Sequence, residues 1–300
     1  MKLISIVTAC YNEEENVENL YKAVKSVFES LPDYNYEHIF IDNASKDKTV
    51  GILKKIAKSD KRVKIIVNTR NFGPIRSPHY GLLQASGDAV ISLAADFQEP
   101  PEMIKDFLRK WEEGYKVVLA VKTKSEESFL MFTIRKFYYR LINKLSEIEL
   151  NKNSTGFGLF DRRVMDTLRA IDDPYPYFRG LISELGFETA KVEFTQPTRK
   201  RGITKCNFYV LYDVAMLGIT NHSKIPLRLA AMVGFTASLI CLLVALVYFA
   251  YKIIFWNSFT VGVAPLVIGL FLFASVQLFF LGIIGEYIGS IHTQVLSVRW

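Results

Sequence analysis

The chain has 300 residues, a formal net charge of +7, 50% hydrophobic residues and 22% charged ones. That apolar content excludes intrinsic disorder, and the length allows about two domains. Cys10, Cys206 and Cys241 stand at unrelated spacings, which excludes a disulfide framework and a cysteine zinc site and fits a reducing compartment.

The first part of the chain alternates between strands and helices. Residues 3–8 read as a β-branched strand, 14–31 as a helix ended by Pro32, and 38–41 (HIFI) as a second strand. Residues 48–58 read as a helix with Ser45 or Asp47 as its cap, 63–67 (VKIIV) as a third strand, 74–86 as a helix and 89–93 (AVISL) as a fourth strand. Pro101 opens a helix over 101–113, and 117–121 (VVLAV) make a fifth strand. The strands are nearly continuous apolar runs. The expected fold class is therefore α/β: a Rossmann-like, mostly parallel sheet with helices on both faces.

Beyond the fifth strand the composition changes. Residues 129–146 (FLMFTIRKFYYRLINKLS) carry Arg135, Lys136, Arg140 and Lys144 beside an aromatic and aliphatic face, the pattern of an interfacial amphipathic helix. Residues 208–222 read as a second such helix. From Leu227 to Trp300 the charged residues are Arg228, Lys252, Glu286 and Arg299, which leaves a net +5 on residues 1–226. A bilayer core needs about 20 apolar residues as helix. Two expected spans, about 229–255 and 261–286, meet that need. Lys252 can snorkel, and Tyr248 and Trp256 suit an aromatic belt. The expected organisation is a catalytic domain over 1–205, a juxtamembrane helix over 206–226 and a membrane hairpin over 227–300.

Lys224 and Arg228 precede the first span and Arg299 follows the second, while the turn between them has no basic residue. The positive-inside rule then puts both termini and the catalytic domain on the cytoplasmic side of the inner (plasma) membrane, as a multi-pass protein. The start, MKLISIVTACYNEEEN, lacks the pattern of a signal peptide. The positive charge is read as facing anionic lipid and diphosphate, and no nucleic-acid partner is expected.

In parallel α/β sheets ligands bind beyond the carboxyl ends of the strands. Four polar clusters follow the first four strands: Ala9–Glu14, Asp42–Asp47, Asn68–Gly73 and Ala94–Pro101, with no G-x-G-x-x-G or Walker loop among them. Any one of these residues could be a helix cap or a packing group; four successive clusters on one sheet carry the information.

These clusters resemble the family 2 glycosyltransferases of the GT-A fold, and within them the polyprenyl-phosphate group of dolichyl-phosphate mannose synthase and the bactoprenol glucosyltransferases. The family shows P-x-Y-N-E, D-D-x-S-x-D-x-T, N-x-G with a later S-G-D, and D-A-D-L-Q-x-P-P-E. Here these read Ala9-Cys10-Tyr11-Asn12-Glu13, then Asp42-Asn43-Ala44-Ser45-Lys46-Asp47-Lys48-Thr49, then Asn71-Phe72-Gly73 with Ser86-Gly87-Asp88, then Ala94-Ala95-Asp96-Phe97-Gln98-Glu99-Pro100-Pro101-Glu102. Downstream, Arg199–Lys205 resembles R-x-x-G-x-S-K, Pro226-Leu227-Arg228 resembles the entry to the membrane, and Gly282–Gly289 resembles G-I-I-G-E-Y-I-G.

The resemblance implies a UDP- or GDP-hexose donor, a polyprenyl-phosphate acceptor at the membrane and a divalent cation, Mg²⁺ or Mn²⁺. It implies donor contacts from Ala9, Tyr11, Glu13, Asp42, Arg70, Gly73 and Asp96. Asp96 and Gln98 are the implied metal residues and, with Arg199, Arg201 and Lys205 on the departing diphosphate, the implied catalytic set. Lys122, Arg135 and Arg140 are the expected cations for the acceptor phosphate. An inverting reaction is expected, and self-association stays open.

Two departures stand out. Ala94 replaces the family's first metal-side Asp. Gly156 stands where the bactoprenol pattern has an Asp read as a base. A phosphate monoester is largely dianionic at neutral pH and attacks without a base, whereas a hydroxyl acceptor needs one. Glu184 is the substitute carboxylate for the hydroxyl alternative, and His79 a weaker candidate. Ala94 also leaves open a sugar-nucleotide-binding scaffold that has lost catalysis.

Overall fold

The computed structural model describes residues 1–124, 154–171, 173, 175–197, 212–213, 216–218, 220, 225–254 and 263–295. The expected amphipathic helix over 129–146 lies outside them, as do Arg135, Arg140, Arg199, Arg201 and Lys205.

The alternation read from the sequence is present. In chain order come β1 (Lys2–Cys10), α1 (Val17–Glu29), β2 (Tyr34–Asp42), α2 (Thr49–Ser59), β3 (Val63–Val67), α3 (Gly73–Leu83) and β4 (Ala89–Ser92). A 3₁₀ turn, Pro101–Met103, then leads into α4 (Ile104–Glu112) and β5 (Val117–Lys124). Four further elements go beyond the sequence reading: β6 (Ser154–Asp161), α5 (Arg162–Ile171), the short α6 (Phe178–Glu184) and β7 (Thr189–Thr195). The chain continues into α7 (Ile225–Ile254) and α8 (Val263–Val295).

The seven strands form one sheet in the order β3-β2-β1-β4-β6-β5-β7. Strands β1 to β4 are parallel, β6 runs antiparallel to both its neighbours, and β7 pairs parallel with β5. The fifth predicted strand is therefore not next to the fourth, because β6 inserts between them. Gly156 and Gly158 break up the apolar run of β6, which is why hydropathy alone passes over it. Gly158 is needed there, since a Cβ would lie 2.3 Å from the Val118 carbonyl oxygen.

Helices cover both faces. On one, α1, α2 and α4 pack through Leu20, Val24, Leu53 and Phe107 against Ile4, Ile6 and Phe40. On the other, α3, α5 and α6 bring Leu82, Met165 and Ile182 against Val7, Ile39 and Phe160. Helix α1 buries Val17, Leu20, Val24, Val27 and Phe28, one stripe at helical spacing that holds it to the sheet.

Near the amino end of the sheet a single carboxylate ties several elements together. Glu37 on β2 is buried and accepts bonds from the Ser5 hydroxyl on β1, the Lys64 ammonium on β3, and both the backbone N–H and the hydroxyl of Ser86. Burial alone would raise its pKa, but these donors outweigh burial and lower it to about 2. Gly87 donates to Ser5 Oγ at 2.7 Å, and a Cβ at Gly87 would sit 2.6 Å from the Ser5 nitrogen, so only glycine fits. Asp88 accepts the Leu3 N–H at 2.8 Å. The Ser86-Gly87-Asp88 motif thus fastens the turn between α3 and β4 to β1 and β2.

Helices α7 and α8 are 30 and 33 residues long and lie against each other. Counted over only the described residues, no helix is long and apolar enough to cross a membrane.

Candidate active site at the carboxyl end of the sheet

The loops after β1 and β2 are laced together. Asn12 donates its N–H to Ser45 Oγ at 2.8 Å and accepts the Lys46 N–H on Oδ1 at 2.7 Å. Glu13 donates its N–H to Thr49 Oγ1, and Lys48 donates its N–H to the Glu14 carboxylate, both at 2.9 Å. Asp47 accepts the Thr49 N–H and hydroxyl, and Ser45 serves the neighbouring loop; the N-cap position of α2 is Lys48, without a side-chain cap bond, so neither expected cap stands there. Asn12 and Ala44 both have positive φ, at 54° and 61°; Asn tolerates that region, whereas Ala44 is held there by the lacing around it.

Asp42, the last residue of β2, is 0% exposed. Its Oδ2 accepts the Ser45 N–H at 2.9 Å, and its Oδ1 is buried without a partner. A buried acceptor left open carries a desolvation cost that a ligand N–H or hydroxyl would relieve. Negative charge gathers around it: burial first, then Asp42, Glu13 and Asp47, push the Cys10 thiol well up. Cys10 therefore stays protonated and is no nucleophile.

The third cluster joins through Asn43. Its amide donates to Asn71 Oδ1 at 2.8 Å and to the Gly73 carbonyl at 3.2 Å, and its Oδ1 accepts the Phe72 N–H at 2.8 Å. Gly73 has φ of 85°, a conformation that glycine adopts at little cost, and opens α3.

The fourth cluster follows β4. Asp96 is half-buried, and its Oδ1 accepts the Gln98 N–H at 3.2 Å across Phe97, whose φ is 58°. A non-glycine residue held there is strained, and such strain concentrates at functional loops. Glu99 turns its carboxylate back onto the Ala94 N–H at 2.7 Å, so a carboxylate stands by the backbone where the family's first Asp is missing. Among the described residues no group of three or more His, Cys, Asp or Glu stands together as a metal cage. One carboxylate and one amide oxygen fit Mg²⁺ or Mn²⁺ only if donor phosphates and water complete the shell, which is how Mg²⁺ is commonly held. On that donor set, Asp96 and Gln98 fit the ion.

The remaining expectations divide. Tyr11 and Glu13 stand in the laced loops, with Ala9 and Asp42 at the ends of β1 and β2 and Gly73 at the start of α3 beside them. Arg70 lies over the Phe72 ring at 4.6 Å and lines a cavity of about 420 Å³ toward the helices. Lys122 is on β5 with a partner of its own. Glu184 is exposed at the end of α6. His79 does not open to solvent: it is buried against the edge of Phe178, and burial lowers its pKa to about 4.

Residues 5–169 match the model of glycosyl transferase family 2, and residues 225–291 match the GtrB C-terminal hairpin. An uncharacterised glycosyltransferase of Bacillus subtilis, YkcC, is 36% identical over 97% of this chain and 90% of its own length. The bactoprenol glucosyl transferase of Shigella phage SfII is 34% identical over 97% of this chain and 94% of its own. The solved mannosyl-3-phosphoglycerate synthase of Rubrobacter xylanophilus overlaps at a TM-score of 0.48 with 16% identity, over 72% of this chain and 71% of that one.

Proposed function

The chain belongs to glycosyl transferase family 2, and from that premise we propose that it moves a hexose from a UDP- or GDP-sugar to a polyprenyl phosphate at the cytoplasmic leaflet. The observation that carries the reading is the open, buried Oδ1 of Asp42 beside the laced loops, with Asp96 in the loop after β4, a strand parallel to β1 as β2 is. The bactoprenol glucosyl transferases, alike over nearly the whole chain, support the lipid acceptor.

In this mechanism Asp42 accepts from the base or ribose, with Tyr11 and Glu13 beside it, and the Ala9 and Gly73 backbones border the donor. Bound at Asp96 and Gln98, Mg²⁺ or Mn²⁺ would neutralise charge on the departing diphosphate. An acceptor phosphate oxygen attacks the anomeric carbon from the face opposite the nucleotide. The bond from that carbon to the diphosphate oxygen breaks, its electron pair leaves with the nucleoside diphosphate, and the configuration inverts. The dianionic acceptor needs no proton removed. That agrees with an exposed Glu184 and a neutral, buried His79, neither of which is offered as a base. Arg199, Arg201 and Lys205 are proposed for the diphosphate, and Lys122, Arg135 and Arg140 for the acceptor.

The membrane hairpin is part of the same reading. Leu229 to Tyr251 carries no charge. Leu239, Leu243, Val247 and Ile254 on α7 and Leu266, Leu270, Leu278 and Phe279 on α8 are all exposed large apolar residues. A face of that size in water would be a liability, whereas in lipid it is expected. The test is transfer of labelled hexose from a set of nucleotide sugars to undecaprenyl phosphate by the full chain in nanodiscs. Labelled lipid supports the proposal; transfer only to a hydroxyl acceptor, or donor binding without turnover, sends it to the hydroxyl or scaffold alternative.

A further inference from the structure

A cavity lies away from Asp42, where the sheet domain meets the helices. Arg70, Phe72 and Arg76 form one side, on the loop after β3 and the first turns of α3. Tyr175, Met216 and Leu217 continue its wall, and Glu286 and Ser290 of α8 close the far side. At about 420 Å³ it is the size of a small-ligand site.

Its cations stand on aromatic rings. The Arg76 guanidinium lies over the Tyr175 ring at 5.0 Å, and its Nε is buried with no hydrogen-bond acceptor. Arg70 stacks on Phe72 in the same manner. Stacking on a ring face leaves the N–H edges of a guanidinium free, and those edges match phosphate oxygens. Among the described residues neither arginine is in an ion pair, although Asp213 and Glu286 line the same cavity. Glu286 is engaged from the other side by the Tyr212 hydroxyl at 2.9 Å. The cavity is therefore polarised, with cations toward the sheet and carboxylates toward the helices. An anion belongs on the sheet side, where Phe72 is also hydrogen-bonded to Asn43, next to Asp42.

The remaining wall is apolar. Met216 and Leu217 line the cavity, and the helices beside it, α7 and α8, carry exposed large apolar residues on their outer faces. A charged phosphate joined to a hydrocarbon tail fits arginines on one side and Met216 and Leu217 on the other.

We infer that this cavity is a binding site for the phosphate of a prenyl phosphate, held by the N–H edges of Arg76 and Arg70 while the tail leaves past Met216 and Leu217. The inference rests on the proposed acceptor class and adds a site that the sequence reading, with Lys122, Arg135 and Arg140, did not contain. The phosphate enters beside the loop that borders the donor, so binding and transfer are neighbouring events.

The test measures equilibrium binding of radiolabelled decaprenyl phosphate to the full chain in phosphatidylcholine nanodiscs, with UDP binding followed on the same samples. Arg76→Gln weakens prenyl phosphate binding about tenfold or more and leaves UDP binding within about twofold, as expected for loss of a charged hydrogen bond confined to one ligand. Met216→Trp, which fills the cavity from the helix side without touching the α3 loop, produces the same selective loss. Inorganic phosphate competes only at about a hundredfold higher concentration, because it lacks the tail. Unchanged prenyl phosphate affinity in either variant overturns the site. Equal competition by inorganic phosphate overturns the lipid assignment in favour of free phosphate. A wild-type chain that binds no prenyl phosphate fails the proposed function itself, whereas binding that is indifferent to both variants fails only this inference.

Discussion

Near the amino end of β1 and β2, Glu37 has a donor on each oxygen and no polar capacity left over. At the carboxyl end of the same two strands, Asp42 is equally buried but keeps one oxygen open. Both are acidic residues on β2, five positions apart, and both stand in or against motifs that resemble the family pattern. The difference lies in saturation. A carboxylate whose acceptor sites are all filled by the protein stabilises the fold, while one held by a single backbone N–H with an oxygen to spare is arranged for something the protein does not itself contain.

That contrast can be broken from either end. The largest effect is expected at the carboxyl end of β4. Asp96→Ala should lower transfer about a hundredfold to a thousandfold, the range for loss of a group that stabilises developing charge, with little change in melting temperature. Steady-state kinetics beside a thermal melt read both; an active Asp96→Ala protein would remove the metal-side assignment. Next, Asp42→Asn should weaken nucleotide binding by about 1.5–3 kcal/mol, roughly ten- to a hundredfold in Kd, with much less effect on turnover at saturating donor. Titration calorimetry with UDP and GDP decides this and also identifies the base.

The amino end should behave in the opposite sense. Glu37→Gln and Gly87→Ala should each cost about 2 kcal/mol of stability in denaturant unfolding and leave the Km values of the folded enzyme unchanged. A donor-binding defect in either would mean that the two ends are not separable. The smallest effect is the pH dependence. Glu37 has its pKa lowered to about 2 in the fold, against an ordinary value of 4.5. The stability its charge contributes is complete above about pH 4.5 and is lost as pH falls from there through 2. The wild type should therefore lose stability over that acid range more steeply than Glu37→Gln, as read by unfolding midpoints at successive pH values.

The contrast also explains what could be read from the sequence. Strands β1 to β4 announce themselves as short β-branched runs, and the clusters after them could be located because parallel sheets put ligands there. The antiparallel β6 was hidden by its glycines, and β7 by alternation without a strong apolar run. Ser86-Gly87-Asp88 was legible as a motif but not as a fastener, because its partners Ser5 and Glu37 are brought to it only by the register that sets Ser5 opposite Glu37. The Arg70 guanidinium lies over Phe72 at a cavity whose walls come from residues as distant as Ser290. No local pattern signals such a site.

The central claim is that the open end of the sheet works on a nucleotide sugar for a lipid phosphate. The most direct measurement is transfer of radiolabelled hexose into the organic phase by the full chain in nanodiscs containing undecaprenyl phosphate, with UDP- and GDP-sugars offered one at a time. The account predicts that one donor yields a labelled lipid, that chelation of divalent cations abolishes it, and that Asp96→Ala does the same. A chain that binds a nucleotide sugar yet labels no lipid with any donor would contradict it.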